Sequence, residues 1–254
     1  EYTPHPNNVS SILFYWASLI IHDLFQTDHK DISISQTSSY LDLSPLYGDN
    51  QADQDSIRTF KDGKLKPDCF AEQRLLGFPP GCGVLLIMFN RFHNYVVEQL
   101  AAINEGGRFT KPRDGLPPEM AEAAWAKYDN NLFQTGRLIT CGLYMNITLL
   151  DYLRTIVNLN RSNTTWTLDP RVDMTKVFGK DGTPRGVGNQ VSAEFNLVYR
   201  WHSATSLKDE RWTENMYKEM FGKPAADVPL HELVAGLAKW YKELDIDPIK
   251  RPFA

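Results

Sequence analysis

Residues 84–103 read Val84-Leu-Leu-Ile-Met-Phe-Asn-Arg-Phe-His-Asn-Tyr-Val-Val-Glu-Gln-Leu-Ala-Ala-Ile103, and their apolar spacing decides the fold class. Leu85, Met88, Phe89, Phe92, Val96 and Leu100 recur at the period of one helix face. Pro79-Pro80-Gly81 punctuates the chain before this run, and Gly106-Gly107 follows it. Upstream, residues 8–27 are strongly apolar, with charge only at Asp23, and predict a buried helix. Residues 28–50 turn to Ser, Thr, Asp and Pro, the text of a loop stitched by local hydrogen bonds, while residues 49–68 read as charged and exposed. Downstream, residues 118–158 form a second long helical pattern, interrupted near Asn130 or Gly142. Residues 160–190 are a polar connection, and helical text returns at 192–206, 213–221 and 229–244. Few period-two runs survive, so the expected fold is mainly α in a single domain over residues 1–254.

Composition narrows the function classes. Of 254 residues, 42% are hydrophobic and 23% charged, with a net charge of -4, the balance of an ordinary globular protein. No basic stripe with interleaved aromatics occurs, so nucleic acid is not an expected partner. Cys69, Cys82 and Cys141 are too scattered for a disulfide framework or a CxxC metal site, which points to an intracellular setting. Three glycosylation tripeptides, at Asn8, Asn146 and Asn163, pull weakly the other way. The chain starts at Glu1 without a methionine, so a preceding signal segment stays open. The most apolar stretch, residues 12–21, is about half of the roughly 20 residues a membrane helix needs and reads as a core helix.

Three constellations carry chemistry. In Glu194-Phe-Asn-Leu-Val-Tyr199-Arg-Trp-His202, a helix would set Tyr199 and His202 on one face, three residues apart. Imidazole is a good iron ligand, and a phenol beside a haem can lose an electron and a proton. The same pair would also suit a buried Tyr and a hydrogen-bonded core His. His22-Asp23 closes the apolar helix, so His22 emerges from a dry environment and needs a partner. In Ser38-Ser-Tyr40-Leu-Asp42-Leu-Ser44, hydroxyl and carboxylate oxygens alternate. They either wrap a hard cation, with Asp23 joining from the helix, or stitch a turn to its own backbone.

Read together, IIHDLF (20–25), TSSYLDLSPLYG (37–48), PGCGVLLIMFNRFHN (80–94), NLFQTGRLIT (131–140) and EFNLVYRWHS (194–203) resemble successive landmarks of the haem peroxidase–cyclooxygenase superfamily. The wording is most similar to the fungal linoleate diol synthases and related dioxygenases. The resemblance implies an animal haem peroxidase-like helical fold, present here as a partial domain. The distal-histidine helix would lie near 8–27 and the proximal-histidine helix near 192–206. It implies haem b as cofactor, His22 as the distal acid–base, His202 as the proximal iron ligand and Tyr199 as the radical-bearing catalytic tyrosine. Asp23, Ser38, Tyr40 through its carbonyl, Asp42 and Ser44 match the superfamily's calcium loop, although Ser38 stands where Thr is usual.

The implied reaction is radical dioxygenation of linoleate or a similar unsaturated fatty acid. An activating peroxide oxidises the haem, Tyr199 becomes a radical, and O2 adds to the substrate carbon radical to give a hydroperoxide. A lipid substrate also implies a cytoplasmic or lipid-associated location, with peripheral membrane or lipid-body association, and leaves room for an oligomer. Two further departures qualify the resemblance. Ser18 replaces the Gln four residues before the distal His, which implies poor peroxidase turnover. Asn90-Arg91-Phe92-His93-Asn94 replaces the peroxidase signature, so Arg91 and His93 carry no peroxidase-type role and read equally as a packed helix face with a polar edge. The alternatives are a non-catalytic haem-binding or scaffold paralogue and a haem-thiolate site on Cys82, whose local spacing is wrong for one. A zinc hydrolase is disfavoured because no HExxH occurs.

Overall fold

The computed structural model describes residues 2–28, 30–38, 40–159, 162–165, 168–169, 191–233 and 235–236. Helices supply nearly all regular structure, and among the described residues β pairing is limited to isolated bridges at Thr27–Ser35 and Arg58–Leu65. The order is α1 (Ile12–Leu24), α2 (Ser44–Tyr47), α3 (Gln51–Ile57), α4 (Pro80–Ile103), α5 (Pro118–Ile147), α6 (Leu153–Ile156), α7 (Ala193–Val198) and α8 (Leu207–Phe221). The expected 160–190 connection lies almost wholly outside the described residues. Of the helix expected over 229–244, a start at residue 230 is described and everything beyond 236 is not.

Helix α1 forms where the apolar text predicts it, and burial follows from its lack of a polar face. Its Ser18 hydroxyl donates to the Phe14 carbonyl at 2.8 Å, which removes the one mid-helix polar side chain from competition. The Trp16 ring sits 5.8 Å from Phe89 of α4 and 5.4 Å from Tyr144 of α5, joining the three helices around one aromatic cluster. Both long helices begin with proline at the first turn, where the missing N–H costs nothing.

The buried face of α4 is rotated from the expected one. It runs through Cys82, Leu86, Phe89, Asn90, His93 and Val97, whereas Met88 is 60% exposed and Leu85, Phe92 and Leu100 are only half-buried. The reason is that two polar residues find partners inside. Asn90 donates to the Lys66 and Cys69 carbonyls at 2.9 Å each. His93 bridges the Tyr47 hydroxyl at 2.8 Å and the Gly63 carbonyl at 2.9 Å. Because a carbonyl only accepts, the proton sits on Nε2 and Nδ1 accepts from Tyr47. Arg91, by contrast, lies on the exposed edge in a two-pronged pair with Asp68. Helix α5 comes so close to α4 at Gly136 that a Cβ there would stand 2.6 Å from Val97 Cγ1.

The pattern expected over 118–158 is broken neither at Asn130 nor at Gly142. It is continuous to Ile147 and then widens into a π turn, Thr148–Tyr152. There the Thr148 hydroxyl donates to the Tyr144 carbonyl at 2.9 Å and accepts the Trp16 indole N–H at 3.2 Å. Residues 49–68 are likewise not simply exposed. Gln54, Ile57, Arg58 and Leu65 are buried, and Arg58 pairs with Asp129 of α5 at 2.6 Å. The other Asp129 oxygen accepts the Gly63 N–H, and the guanidinium lies 4.0 Å over the Phe133 ring.

Removing one partner of such a buried pair leaves an uncompensated charge. Asp129→Ala should therefore lower stability by about 3–5 kcal/mol, read as the shift in urea unfolding. A loss under about 1 kcal/mol would mean that the pair behaves as a surface bridge.

Candidate functional site

The last turn of α1 carries His22, which is 7% exposed. Its Nδ1 lies 2.6 Å from the Ser18 carbonyl, one turn back, so Nδ1 must carry the proton and Nε2 presents a lone pair. Among the described residues Nε2 has no protein partner. The Phe78 ring meets the imidazole edge-on at 4.9 Å. Burial, opposed by Glu72 and reinforced by Arg74, lowers the His22 pKa to about 4, so the ring is neutral at physiological pH.

His22 and His202 line the same cavity of about 170 Å³, together with Ile21, Phe25, Phe78, Arg74 and Arg200. This juxtaposition crosses 180 residues of sequence and brings together the two histidines that the sequence singled out. The two walls differ in character. Arg74 anchors the first by donating to the Phe25 carbonyl at 3.0 Å and pairing with Glu72 at 2.6 Å. The second is an exposed stretch, with His202 opening a 3₁₀ turn, His202–Ala204.

The expectation of one helix presenting both Tyr199 and His202 is overturned. Helix α7 ends at Val198, and Trp201 takes a left-handed backbone (φ 52°) that no α-helix continues through. Tyr199 stacks on Phe195 at 4.9 Å and meets Trp201 edge-on at 5.5 Å. Its hydroxyl bonds the Tyr152 hydroxyl in the π turn. Tyr152 is a site residue that the sequence reading missed, since a contact between residues 47 apart leaves no periodic trace. Burial first, and the contact with Tyr199 second, push the Tyr152 pKa upward and keep it protonated. Tyr152 also lines a separate cavity of about 350 Å³ with Val9, Ile12, Leu13, Trp16 and Ile147.

The oxygen-rich loop divides into two pairs. Asp23, fully buried, accepts from the Leu43 N–H at 3.1 Å and from the Ser44 N–H and hydroxyl at 3.2 and 3.1 Å. Ser38 donates to Asp42 at 3.1 Å, and the Tyr40 carbonyl accepts the Asp42 N–H at 2.9 Å. Asp42 Oδ1 is buried without a donor. Burial, then the Asp42 charge, raises the Asp23 pKa well above the usual carboxylate range. Among the described residues no three His, Cys, Asp or Glu side chains are grouped as a metal site.

The other candidates fall away on chemistry. Cys82 is fully buried, and burial pushes its thiol up to about 12, opposite to what a thiolate ligand requires. His93 has both ring nitrogens committed inside the core. Of the cofactors the sequence raised, haem fits the side chains present. His22 and His202 offer imidazoles, Ile21, Phe25 and Phe78 offer apolar walls, and Arg200 suits a carboxylate, Arg74 being committed to Glu72. The enclosed volume is below the roughly 300–1,000 Å³ of ligand pockets, so the exposed wall has to yield for a macrocycle to enter.

The chain matches the animal haem peroxidase family over residues 29–83 and 78–254. It is 66% identical over 253 residues to the linoleate 10R-lipoxygenase of Aspergillus fumigatus, covering 100% of this chain and 22% of that protein. It is 62% identical over 255 residues to the Psi-producing oxygenase A of Emericella nidulans, covering 100% of this chain and 23% of that protein. Against the linoleate diol synthase of Gaeumannomyces graminis identity is 56% over 255 residues, covering 100% and 22%. The chain thus spans about a fifth of the length of the curated relatives it matches. By the family match and these landmarks alike, the chain belongs to the animal haem peroxidase family, a membership that implies haem binding.

Proposed function

We propose that this chain carries the radical-forming centre of a haem-dependent fatty-acid dioxygenase that turns linoleate, or a similar unsaturated fatty acid, into a hydroperoxide. The observation that carries the reading is the Tyr199–Tyr152 hydroxyl pair, of which Tyr152 lines an apolar cavity. The names of the similar proteins support the substrate class.

His202 would hold the iron of haem b and Arg200 would suit its carboxylates, and the group would supply one-electron oxidising power once a peroxide activates it. The neutral His22 holds a lone pair at Nε2 and takes a proton from the incoming peroxide there. Tyr199 would give one electron to the activated haem and its phenolic proton to solvent. Tyr152, kept protonated by burial, donates to the Tyr199 oxygen and holds it in place. The Tyr199 radical takes a hydrogen atom from a carbon beside or between the double bonds, which restores the phenol and leaves a carbon radical. O2 adds to that carbon, and a hydrogen atom returned from Tyr199 completes the hydroperoxide and regenerates the tyrosyl radical. The cavity beside Tyr152, with Val9, Ile12, Leu13 and Ile147 in its wall, offers apolar surface to such a chain. In the same reading calcium binds Asp23, Asp42, Ser38, Ser44 and the Tyr40 carbonyl, offsetting the repulsion between two close carboxylates.

Tyr199→Phe should abolish oxygen uptake with linoleic acid while the haem absorption stays intact. Haem binding without uptake in both parent and mutant would instead favour a non-catalytic haem-binding scaffold. Tyr152→Phe should slow uptake only roughly 2-fold to 10-fold, the worth of a hydrogen bond of about 0.5–1.5 kcal/mol.

The pH profile tests the His22 role. Because its pKa in the folded protein is lowered to about 4, the base form persists from neutral pH down to that value. The limb of the oxygen-uptake profile assigned to His22 should fall only near pH 4. A limb near pH 6.5 would show an imidazole titrating as if exposed. Chelation of calcium should lower the unfolding temperature of the parent and leave Asp23→Asn unaffected. An equal response, or none in either protein, would remove calcium from the reading.

A further inference from the structure

Helix α1 presents Tyr15 and His22 seven residues apart, two turns along one helix face. The C-terminal segment presents His202 and Asp209 at the same separation. The two sets meet in antiparallel order. The Tyr15 hydroxyl donates to Asp209 Oδ1 at 2.7 Å, and His22 and His202 face one cavity. They form two rungs between the same two strips of chain.

The Tyr15–Asp209 rung is built firmly on both sides. Asp209 is the one buried residue of α8 among those described, at 4% exposed in an otherwise solvated helix. Its second carboxylate oxygen accepts the Ser206 hydroxyl at 2.6 Å and the Ser206 N–H at 3.4 Å, closing a capping box. On the other side the Tyr15 ring lies flat against Gly81 at the start of α4. A Cβ at Gly81 would fall 2.1 Å from the ring, so only glycine leaves room for it. A helix N-terminus would be capped by Ser206 alone; the reach to Tyr15 does something more. It fixes one end of the stretch 199–206, whose other end is fixed by Tyr199 on Tyr152. His202 hangs between these two ties, on an exposed turn with a left-handed residue before it.

We propose that Tyr15 and Asp209 are positioning residues that set how far the His202 turn stands from His22. They touch no haem atom themselves, and the inference rests on the reading of His22 and His202 as the haem-facing pair. The exposed wall yields to admit the macrocycle, and the Tyr15–Asp209 bond limits how far it yields and returns His202 to one place.

The test uses the full-length, haem-loaded protein with Tyr15→Phe, which removes one hydroxyl, and Asp209→Asn, which keeps an acceptor for Tyr15. Haem transfer to an apo-globin scavenger is followed alongside the visible ligand-field bands. Tyr15→Phe is expected to release haem roughly 10-fold to 100-fold faster and to shift the bands, as loss of an orienting partner does at metal sites. Asp209→Asn keeps an acceptor for Tyr15 but loses the oxygen that accepts from Ser206, and is expected to release haem faster than the parent and more slowly than Tyr15→Phe. In the haem-free protein, amide exchange should rise over 199–209 in Tyr15→Phe while the unfolding temperature stays within roughly 2–4 °C. Parent-like haem release and exchange in Tyr15→Phe overturns the proposal. So does a fall in unfolding temperature that accounts for the faster release, since that is a structural bond only. Haem release is read without substrate, so failure to oxygenate linoleate would count against the proposed function and not against this inference.

Discussion

The Trp16 indole is enclosed by Phe89 and Tyr144, with its N–H satisfied by Thr148, and most of the architecture follows from that enclosure. A helix with no face that water accepts has to be wrapped, and α4 and α5 wrap it. The indole N–H sets a further condition, because burying it unpaired would cost about 1–3 kcal/mol. Thr148 meets the condition at the point where α5 loosens into a π turn, and that turn brings Tyr152 round to the hydroxyl of Tyr199. One buried N–H and the phenol pair are therefore linked through a single turn of helix.

The two buried histidines show how burial alone fails to identify function. His22 and His93 are both depressed to about 4, in each case by desolvation first. What separates them is the number of partners. His93 uses both nitrogens on Tyr47 and Gly63 and is part of the packing. His22 uses one on its own helix and keeps the other for a cavity. A pKa near 4 reports a dry site, and only the partner count says whether the site has a vacancy for chemistry.

Sequence made the helical class and α1 legible, because long apolar periods and ordered motifs are local signals, and the two histidines it singled out line one cavity. It misplaced the inner face of α4, since Asn90 and His93 count as polar until carbonyls 24 to 30 residues away are seen to receive them. It also drew one helix through Tyr199 and His202. Nothing in Tyr-Arg-Trp-His announces the left-handed turn at Trp201, around which Tyr199, Trp201 and Ala204 pack against the core. Arg58 was assigned to an exposed charged stretch for the same reason, its partner Asp129 lying 71 residues on. Each miss is a long-range pairing of a polar group. Each success is a pattern readable within one or two turns.

The site joins a rigid wall to an adjustable one, and the chemistry proposed for it needs both. Burial keeps His22 neutral well below its ordinary range, and the last turn of α1 supplies that dry setting. In the stretch from Tyr199 to Ser206, Tyr199, Trp201 and Ala204 pack against the core while Arg200, His202 and Ser203 are exposed. Its freedom is limited because the phenol pair and the Tyr15–Asp209 bond hold its ends. Opening is thus confined to the turn that carries His202, while Tyr199 stays against Tyr152 and the apolar cavity beside it. The residue that must move and the residue that must not are three positions apart, and the break in the helix between them is what allows the difference.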